Sequence, residues 1–349
     1  MRATVSLLFA GILLLSGCSA PSNDSSKTAN GAAGSAKKIL VGLVFDKGGV
    51  GDKSFNDSAN RGLTDAAKEL GIQTKTVDSK SESEYETNLE ALADAGADLV
   101  VGVGISMKDA VEAAAKKYPK VKFAIVDAEA KGDNVRSLLF REEEGSFLAG
   151  YVAGAASKTG KIGFVGGMDL PLIRKFQYGY EAGALYANPK IVCLPAKFTG
   201  DWVNIDLGKT SANSLYGDGA DVVYAAAGRA GLGVIAAATE AKKYAIGVDS
   251  DQDELAKGTV LTSMVKHVDA AVKATIEDVA KDKFTSGSQV YDLSKGGVGI
   301  TEMPYTKAAI SDAQRAKLKE IASDISSGKL KVPATEDDYK AFVSAQGKK

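Results

Sequence analysis

Residues Lys38–Gly71 read KILVGLVFDKGGVGDKSFNDSANRGLTDAAKELG, which predicts a strand, a glycine-rich loop and a helix. Ile39–Phe45 is a short apolar run of strand length, and the glycines that follow it allow a tight turn. Ser54 stands three residues before Asp57, which predicts a capping box at the start of the helix. Apolar residues then recur at helical spacing until Gly71, a typical residue at a helix C-terminus.

This unit predicts a place for ligand contacts. In an open α/β sheet, ligands bind beyond the carboxyl ends of the strands, and Asp46, Phe55 and Asn56 follow the first strand at that end. Taken alone, the stretch is equally compatible with Phe55 as a core residue and Asp46 as a turn residue.

The chain repeats this unit. Lys161–Ala187 reads KIGFVGGMDLPLIRKFQYGYEAGALYA and follows the same strand, loop and helix plan. Four pairs of equivalent positions are separated by a nearly constant offset of roughly 122 residues, and they are Lys38 with Lys161, Phe55 with Phe176, Gly96 with Gly219 and Asp127 with Asp249. We therefore expect two lobes of one α/β topology that face each other across a shared cleft.

Composition and missing motifs restrict the function. The chain has 349 residues, 45% of them hydrophobic, and a formal net charge of −1, which argues against a nucleic-acid binder. His267 is the single histidine, so no catalytic triad or histidine metal pair is expected, and no cofactor. Asp52 interrupts a loop that otherwise resembles a phosphate-binding loop. Asp127 and Asp249 could act as acid and base, but hydrogen bonding to a ligand is the simpler role, and we expect no enzyme.

The N-terminal residues predict export and a lipid anchor. Residues 1–17 combine Arg2 with an apolar run too short to span a bilayer with ease, which predicts a signal peptide. Leu15-Ser-Gly-Cys18 resembles the lipobox of bacterial lipoproteins, in which the cysteine carries the lipid, including palmitate. The alternative is an ordinary signal peptide with a chance cysteine. Residues 18–37 are rich in Ser, Ala, Gly and Asn and predict a flexible tether.

Alternating strand and helix patterns predict parallel sheets flanked by helices in both lobes. We expect the chain to cross between the lobes three times. The expected N-terminal lobe comprises residues 38–158 and 263–286, and the expected C-terminal lobe comprises residues 159–262 and 287–349.

The strand ends and helix starts of the two lobes supply the candidate ligand contacts. Carboxylates accept hydrogen bonds from hydroxyls and ring N–H groups, and aromatic rings stack on planar faces. A ligand with one flat polar half and one hydroxylated half fits such a set. The candidate residues are Asp46, Phe55, Asn56, Ser106, Asp127, Phe176, Trp202, Gly228, Asp249 and Lys266. For Trp202 a packing role is as compatible with the sequence as a site role.

Four stretches carry a specific resemblance, and they are Asp52–Ser58, Phe140–Phe147, Phe164–Met168 and Gly247–Gln252. Together they resemble the basic membrane protein family of bacterial lipoproteins, which includes the purine nucleoside receptors of ABC importers. The resemblance runs from about Lys38 to Pro333. It implies the two-lobed type I periplasmic-binding-protein fold and a monomer that is held at the extracytoplasmic face of the cell membrane by its lipid. It also implies permease and ATPase partners.

The resemblance also implies roles for individual residues. Positions equivalent to Asp46, Phe55, Asn56 and Asp127 hold the base in the nucleoside receptors, and those equivalent to Asp249 and Lys266 hold the ribose. The second stacking ring is a phenylalanine in relatives, and both Phe176 and Trp202 compete for its place. Three alternatives stay open: another small polar ligand such as a sugar-like signal, an adhesin or sensor with a vestigial cleft, and a nucleoside-cleaving enzyme.

Overall fold

The protein is an α/β protein with two separate sheets. The computed structural model describes residues 38–346, so the signal peptide, Cys18 and the tether predicted for residues 1–37 lie outside the described residues. The strands are β1 (Leu40–Phe45), β2 (Gln73–Asp78), β3 (Leu99–Val103), β4 (Lys122–Val126), β5 (Val135–Phe140), β6 (Lys161–Gly166), β7 (Val192–Cys193), β8 (Lys197–Phe198), β9 (Val222–Ala226), β10 (Tyr244–Asp249), β11 (Val260–Lys266), β12 (Gly287–Tyr291) and β13 (Val298–Ile300). The helices are α1 (Phe55–Leu70), α2 (Tyr85–Asp94), α3 (Lys108–Lys117), α4 (Glu142–Ala156), α5 (Pro171–Ala187), α6 (Ile205–Gly217), α7 (Gly231–Ala241), α8 (Val268–Ala280), α9 (Asp312–Ser326) and α10 (Glu336–Gln346).

The first sheet has the strand order β12-β5-β4-β3-β1-β2, and its pairs are parallel. The second has the order β13-β11-β10-β9-β6-β7, with β8 also beside β6, and only β13 runs antiparallel to its neighbour. The central strands β1, β3 and β9 are buried along their whole length, as expected when helices cover both faces. The predicted α/β class with parallel sheets is confirmed.

We call the first sheet with α1, α2, α3 and α8 the first lobe, and the second sheet with the remaining helices the second lobe. The chain first crosses between them at Arg141, between β5 and α4, rather than near residue 158 as predicted. α4 packs on α5 through glycines: a Cβ on Gly150 would lie 1.9 Å from the carbonyl oxygen of Tyr180, and one on Gly183 would lie 2.0 Å from that of Phe147. This close contact holds α4 in the second lobe.

The other two crossings also differ from the predicted places. Residues 260–266 form β11, which pairs with β10 in the second sheet, because Leu261 and Met264 pack into that core. The chain then returns to the first lobe as α8, which packs so tightly on α1 that a Cβ on Gly62 would meet the carbonyl oxygen of Asp269 at 2.3 Å. Residues 287–291 form β12 at the edge of the first sheet. Four of the five residues are exposed, so the segment lacks the apolar run by which a buried strand is recognised in a sequence.

The C-terminal helices belong to the second lobe. Leu318 and Ile325 of α9 are part of its buried core. α10 lies on α5, where the rings of Tyr339 and Tyr178 stack with centroids 5.5 Å apart, and Phe342 meets the ring of Phe147 edge-on. Both helices therefore pack in the second lobe, a placement that the sequence alone left open.

The start of α1 lacks the predicted capping box, because the Ser54 hydroxyl makes no hydrogen bond to the helix. Asp52 caps the helix instead. Its Oδ1 accepts from the backbone N–H groups of Ser54 at 2.9 Å and Asp57 at 3.1 Å, and its Oδ2 accepts from the N–H of Asn56 at 2.8 Å. The Asp52 carboxylate, which accepts from three backbone N–H groups, therefore takes the place of the Ser54 hydroxyl as the helix cap. The Ser54 hydroxyl makes its hydrogen bonds elsewhere.

Candidate functional site

One cavity between the two lobes brings together every residue that the sequence analysis selected. It encloses an empty volume of about 670 Å³, part of which is open to solvent. The predicted residues that line it are Asp46, Phe55, Asn56, Ser106, Asp127, Phe176, Trp202, Gly228, Asp249 and Lys266. Both pairs of site residues that the repeat relates, Phe55 with Phe176 and Asp127 with Asp249, thus share one surface.

The carboxyl ends of the strands supply the charged groups of the cavity. Asp46 follows β1 and Asp127 follows β4, whereas Asp249 and Lys266 end β10 and β11. Asp127 and Asp249, the pair related by the repeat, have φ angles of +68° and +62°. A left-handed conformation costs a residue other than glycine roughly 1–2 kcal/mol, and such strain concentrates at functional sites.

A buried lysine holds two of these carboxylates. Lys266 Nζ donates to Asp127 Oδ2 at 2.6 Å and lies 3.6 Å from Asp249 Oδ1. We call these three residues the cation cluster. Burial alone would lower the pKa of Lys266, but Asp127, Asp249 and the nearby Glu142 together raise it, so the ammonium stays charged. Burial raises the pKa of Asp249, and Lys266 opposes this shift.

Glu142 is a further buried carboxylate that the sequence analysis did not select. It begins α4, is fully buried, and its Oε2 lies 3.4 Å from Lys175 Nζ. Burial raises its pKa to about 7, against the attraction of Lys266. The run of three glutamates at positions 142–144 was the available signal, but acidic residues in the first turn of a helix are common because they stabilise its dipole.

The other half of the cavity contains a shared amide. Asn56 Nδ2 donates to Asp46 Oδ1 at 2.8 Å and to Asp52 Oδ2 at 3.1 Å. We call these three residues the amide cluster. The buried Oδ1 of Asn56 accepts no hydrogen bond from the described residues. Burial raises the pKa of Asp46 to about 6, although the hydrogen bonds from Asn56 and Gly48 oppose the shift.

Aromatic rings from both lobes approach the cation cluster. Lys266 Nζ lies 4.7 Å from the ring centroid of Phe55 and 5.4 Å from that of Phe176. These distances allow cation–π attraction, which further stabilises the buried ammonium. Phe55 and Phe176, equivalent in the repeat, come from different lobes, but only Phe55 begins its helix: α5 starts five residues before Phe176, at Pro171, because Pro171 supplies a favourable first helical residue.

Trp202 lines the cavity from a loop of the second lobe. Its indole packs where Gly167 leaves space, since a Cβ there would lie 2.2 Å from Trp202 Cε3. Gly228, whose φ is +56°, also lies against Trp202, since a Cβ there would lie 3.2 Å from the Trp202 carbonyl oxygen. Next to Trp202, Asp201 lies 3.9 Å from Lys47 Nζ of the first lobe. Trp202 therefore combines packing with a place at the cavity wall.

Ser106 marks the outer part of the cavity. It is exposed and lies in a short helical turn after β3. Gly104, with φ of +117°, brings this turn close to Asp46 and Phe55. Ser106 is thus within the same site but in contact with solvent.

The comparisons with known proteins agree with this architecture. The family model described as the PnrA-like ABC transporter substrate-binding protein matches residues 39–336. The chain is 38% identical to the ABC transporter nucleoside-binding protein BmpA of Lactococcus lactis, over 95% of this chain and 98% of that one. It is 37% identical to basic membrane protein A of Borreliella burgdorferi, over 87% of this chain and 90% of that one.

The structure resembles the solute-binding protein of an ABC transporter system from Aeropyrum pernix, with a TM-score of 0.79. The two chains are 31% identical, and the match covers 89% of this chain and 98% of the other. This likeness confirms the predicted type I periplasmic-binding-protein fold. Within residues 38–346 no helix is both long and apolar enough to cross a membrane. The chain belongs to the PnrA-like family of ABC transporter substrate-binding proteins, whose members bind a substrate for transport and are not enzymes.

Proposed function

We propose that this protein captures nucleosides, and purine nucleosides in particular, and delivers them to the permease and ATPase subunits of an ABC importer. The observation that carries the proposal is a single cavity in which carboxylates at the strand ends of both lobes meet aromatic rings. The nucleoside-binding relative from Lactococcus lactis supports the same substrate class.

The two clusters divide the ligand between them. In the amide cluster, Asp46 and the Oδ1 of Asn56, which has no hydrogen-bond partner within residues 38–346, are acceptors for the N–H groups on a purine edge. In the cation cluster, Asp249 accepts from the ribose hydroxyls and Lys266 donates to them. Phe55 and one ring of the second lobe, Phe176 or Trp202, enclose the base.

The charges of the site favour nucleosides over nucleotides. The cavity is lined by the carboxylates of Asp46, Asp52, Asp127 and Asp249. Two cations also line it, the half-buried Arg229 and the buried Lys266, and Lys266 is already paired with two of the four carboxylates. A phosphate group would therefore meet like charges at short range in a poorly solvated site, where repulsion is strong.

The proposed location is the extracytoplasmic face of the cell membrane, with Cys18 as the lipid-bearing residue and the protein as a monomer. Cys18 follows Leu15-Ser-Gly and precedes the polar tether. The variant Cys18→Ser is expected to move from the membrane fraction to the soluble fraction of cells. A variant that still sediments with membranes would mean that the anchor lies elsewhere.

Isothermal calorimetry tests the substrate class directly. The purified protein is titrated with adenosine, inosine, guanosine, cytidine, uridine, adenine, ribose and adenosine monophosphate. We expect purine nucleosides to bind with micromolar or tighter affinity, about −8 kcal/mol or stronger, and the monophosphate to bind far more weakly. As a control, Asp312→Asn removes a surface carboxylate that is fully exposed and should bind like the wild type.

Two results would contradict the proposal. Binding of free sugars without any nucleoside would favour a sugar-like ligand, and release of free base from a bound nucleoside would indicate an enzyme. Chromatography of the titrated mixture distinguishes the second result from simple binding.

A further inference from the structure

Ser54 lies buried where the two lobes meet. Asp52 caps α1 in its place, and its hydroxyl donates instead to Asp249 Oδ2 at 2.6 Å. The Ser54 Oγ also lies 3.3 Å from the carbonyl oxygen of Val248. Ser54 precedes α1 in the first lobe, whereas Asp249 ends β10 in the second. The bond therefore joins the lobes across the cleft, next to the cavity.

Two further hydrogen bonds fix the backbone that carries the Ser54 hydroxyl. Ser250 Oγ donates to the carbonyl oxygen of Ser54 at 2.9 Å, and Gln252 Nε2 donates to that of Lys53 at 3.0 Å. We call residues 53–54 together with residues 248–252 the seam. Both donors come from the second lobe and bind the backbone of the first. The position of Ser54 is thus fixed by its main chain and not by its side chain alone.

Asp249 needs such a partner. Its backbone is held at φ +62°, its side chain is buried, and Lys266 Nζ is 3.6 Å from Oδ1. At that distance Lys266 attracts the carboxylate but makes no short hydrogen bond to it. The contact at 2.6 Å from Ser54 is the shortest that Asp249 makes among the described residues. Burial raises the pKa of Asp249, and the charge of Lys266 and the hydrogen bond from Ser54 oppose that shift while Asp127 adds to it.

We propose that Ser54 is a positioning residue that holds the Asp249 carboxylate in the orientation that accepts a ligand hydroxyl. This inference rests on the proposed function, which assigns the ribose hydroxyls to Asp249. Because the two residues lie in different lobes, the bond stabilises the closed arrangement of the lobes, with or without a ligand. Closure then completes the hydroxyl-binding half of the site, and a ligand that uses this half gains affinity for the closed state over the open one, as a shift in population requires.

Ser250 provides a matched control. It is a buried serine of the same seam and also bonds across the cleft, but its hydroxyl contacts the backbone of Ser54 rather than the Asp249 carboxylate. Ser250→Ala removes this seam bond together with two longer contacts from the Arg61 guanidinium, each at 3.3 Å, and leaves the Asp249 contact in place. A role in closure alone predicts the same pattern for Ser250→Ala and Ser54→Ala.

The test measures the affinity of the wild type, Ser54→Ala and Ser250→Ala for adenosine and 2′,3′-dideoxyadenosine by calorimetry on the full chain. Ser54→Ala is expected to weaken adenosine binding about tenfold and dideoxyadenosine binding less than about threefold. Only adenosine has the ribose hydroxyls that donate to the Asp249 carboxylate, so only adenosine depends on the orientation of that carboxylate. Ser250→Ala should weaken both ligands by the same factor. Equal losses for the two ligands in Ser54→Ala, or no loss, would overturn the proposal.

A second measurement separates this inference from the proposed function. If the wild type binds no nucleoside, the proposed function fails, and the inference is decided by carboxyl-carbon NMR of Asp249 in the ligand-free protein. Ser54→Ala should raise the pKa of Asp249 and Ser250→Ala should leave it unchanged, since only the first removes a donor to the ionised form. An unchanged pKa in Ser54→Ala would overturn the positioning role.

Discussion

The two halves of the cavity hold their carboxylates in different ways. In the cation cluster a buried ammonium lies within 3.6 Å of both Asp127 and Asp249. In the amide cluster, Asp46 and Asp52 share the neutral side chain of Asn56. A neutral donor offsets the cost of burying a carboxylate less than a charge does, so burial raises the pKa of Asp46 to about 6. Burial raises the pKa of Asp249 as well, against the attraction of Lys266, so we expect loss of the ammonium to have its main effect in the first half and protonation of Asp46 to have its main effect in the second.

Removing the buried ammonium should have the largest effect. Lys266→Met leaves Asp127 and Asp249 buried without their cation, and breaking a buried pair in this way typically costs about 3–5 kcal/mol. We expect a clear fall in melting temperature and a loss of nucleoside affinity of more than about 100-fold. Thermal unfolding and calorimetry measure the two effects.

A surface lysine is the control for this variant. Lys273 Nζ lies 2.6 Å from Glu69 Oε1 on the outer face of the first lobe, and exposed pairs contribute only about 0–1 kcal/mol. Lys273→Met should therefore behave like the wild type. Adding Asp127→Asn to Lys266→Met should restore part of the lost stability, because it removes one uncompensated charge. No recovery would argue that the loss arises from packing and not from charge.

Asp249→Ala should have the next largest effect. If Asp249 accepts from a ribose hydroxyl, its removal costs a charged hydrogen bond of about 1.5–3 kcal/mol, which is at least tenfold in affinity. The preference for nucleosides over 2′,3′-dideoxynucleosides should shrink with it. Calorimetry with both ligands measures this change, and a variant that binds both as the wild type does would remove Asp249 from the site.

The aromatic rings extend the comparison across the cleft. Phe55 and Phe176 occupy equivalent positions in the repeat, and both lie close to Lys266. Phe55→Ala and Phe176→Ala should each weaken binding about tenfold. The loss of binding free energy in the double variant should differ from the sum of the two single losses, because residues that contact the same base are coupled. Emission of Trp202, the single tryptophan, should change saturably with nucleoside and report binding.

One outcome would change the assignment of the second ring. Trp202 lies in the loop whose Asp201 approaches Lys47, the neighbour of Asp46. If Phe176→Ala binds normally and Trp202→Ala does not, Trp202 is the partner of Phe55. The symmetry of the repeat would then have selected the wrong ring. Calorimetry is the measurement for Trp202→Ala, since that variant has no reporter.

The repeat explains why so much of the fold could be predicted from the sequence. Buried strands read as apolar runs, and equivalent strand ends carry the same residue type, as with Asp127 and Asp249. The crossing points could not be predicted. The lobe to which α4 belongs depends on contacts of Gly150 and Gly183 with backbone carbonyls, and a sequence read one element at a time does not reveal such contacts.

The site could be predicted for residues at strand ends but not for those that support them. Ser54 has the local pattern of a helix cap, and its actual partner lies 195 residues away. In the sequence, Asp52 only interrupts a loop that otherwise resembles a phosphate-binding loop. In the structure it caps α1 and accepts a hydrogen bond from the Asn56 side chain. In both cases a polar side chain had two possible partners, and tertiary contacts decided between them.

The amide cluster predicts two responses to pH that have opposite signs. The pKa of Asp46 in the folded protein is about 6 and lies above the ordinary value of 3.8, so the folded state holds this proton more tightly than the unfolded state does. Its contribution to stability is therefore unfavourable above pH 6 and improves as the pH falls towards 4. Nucleoside binding should respond in the other sense, because only the ionised carboxylate accepts from a base N–H.

The affinity of the wild type is thus expected to fall by up to about tenfold between pH 7 and pH 5, the smallest effect of the series. Asp46→Asn should bind more weakly at pH 7 and lose most of this dependence. Glu142, whose pKa is about 7, titrates in the same range beside the cation cluster, so Glu142→Gln is measured alongside. If the pH dependence disappears in Glu142→Gln and persists in Asp46→Asn, the proton that affects binding is on Glu142, beside the cation cluster, and the contrast between the two halves is reversed.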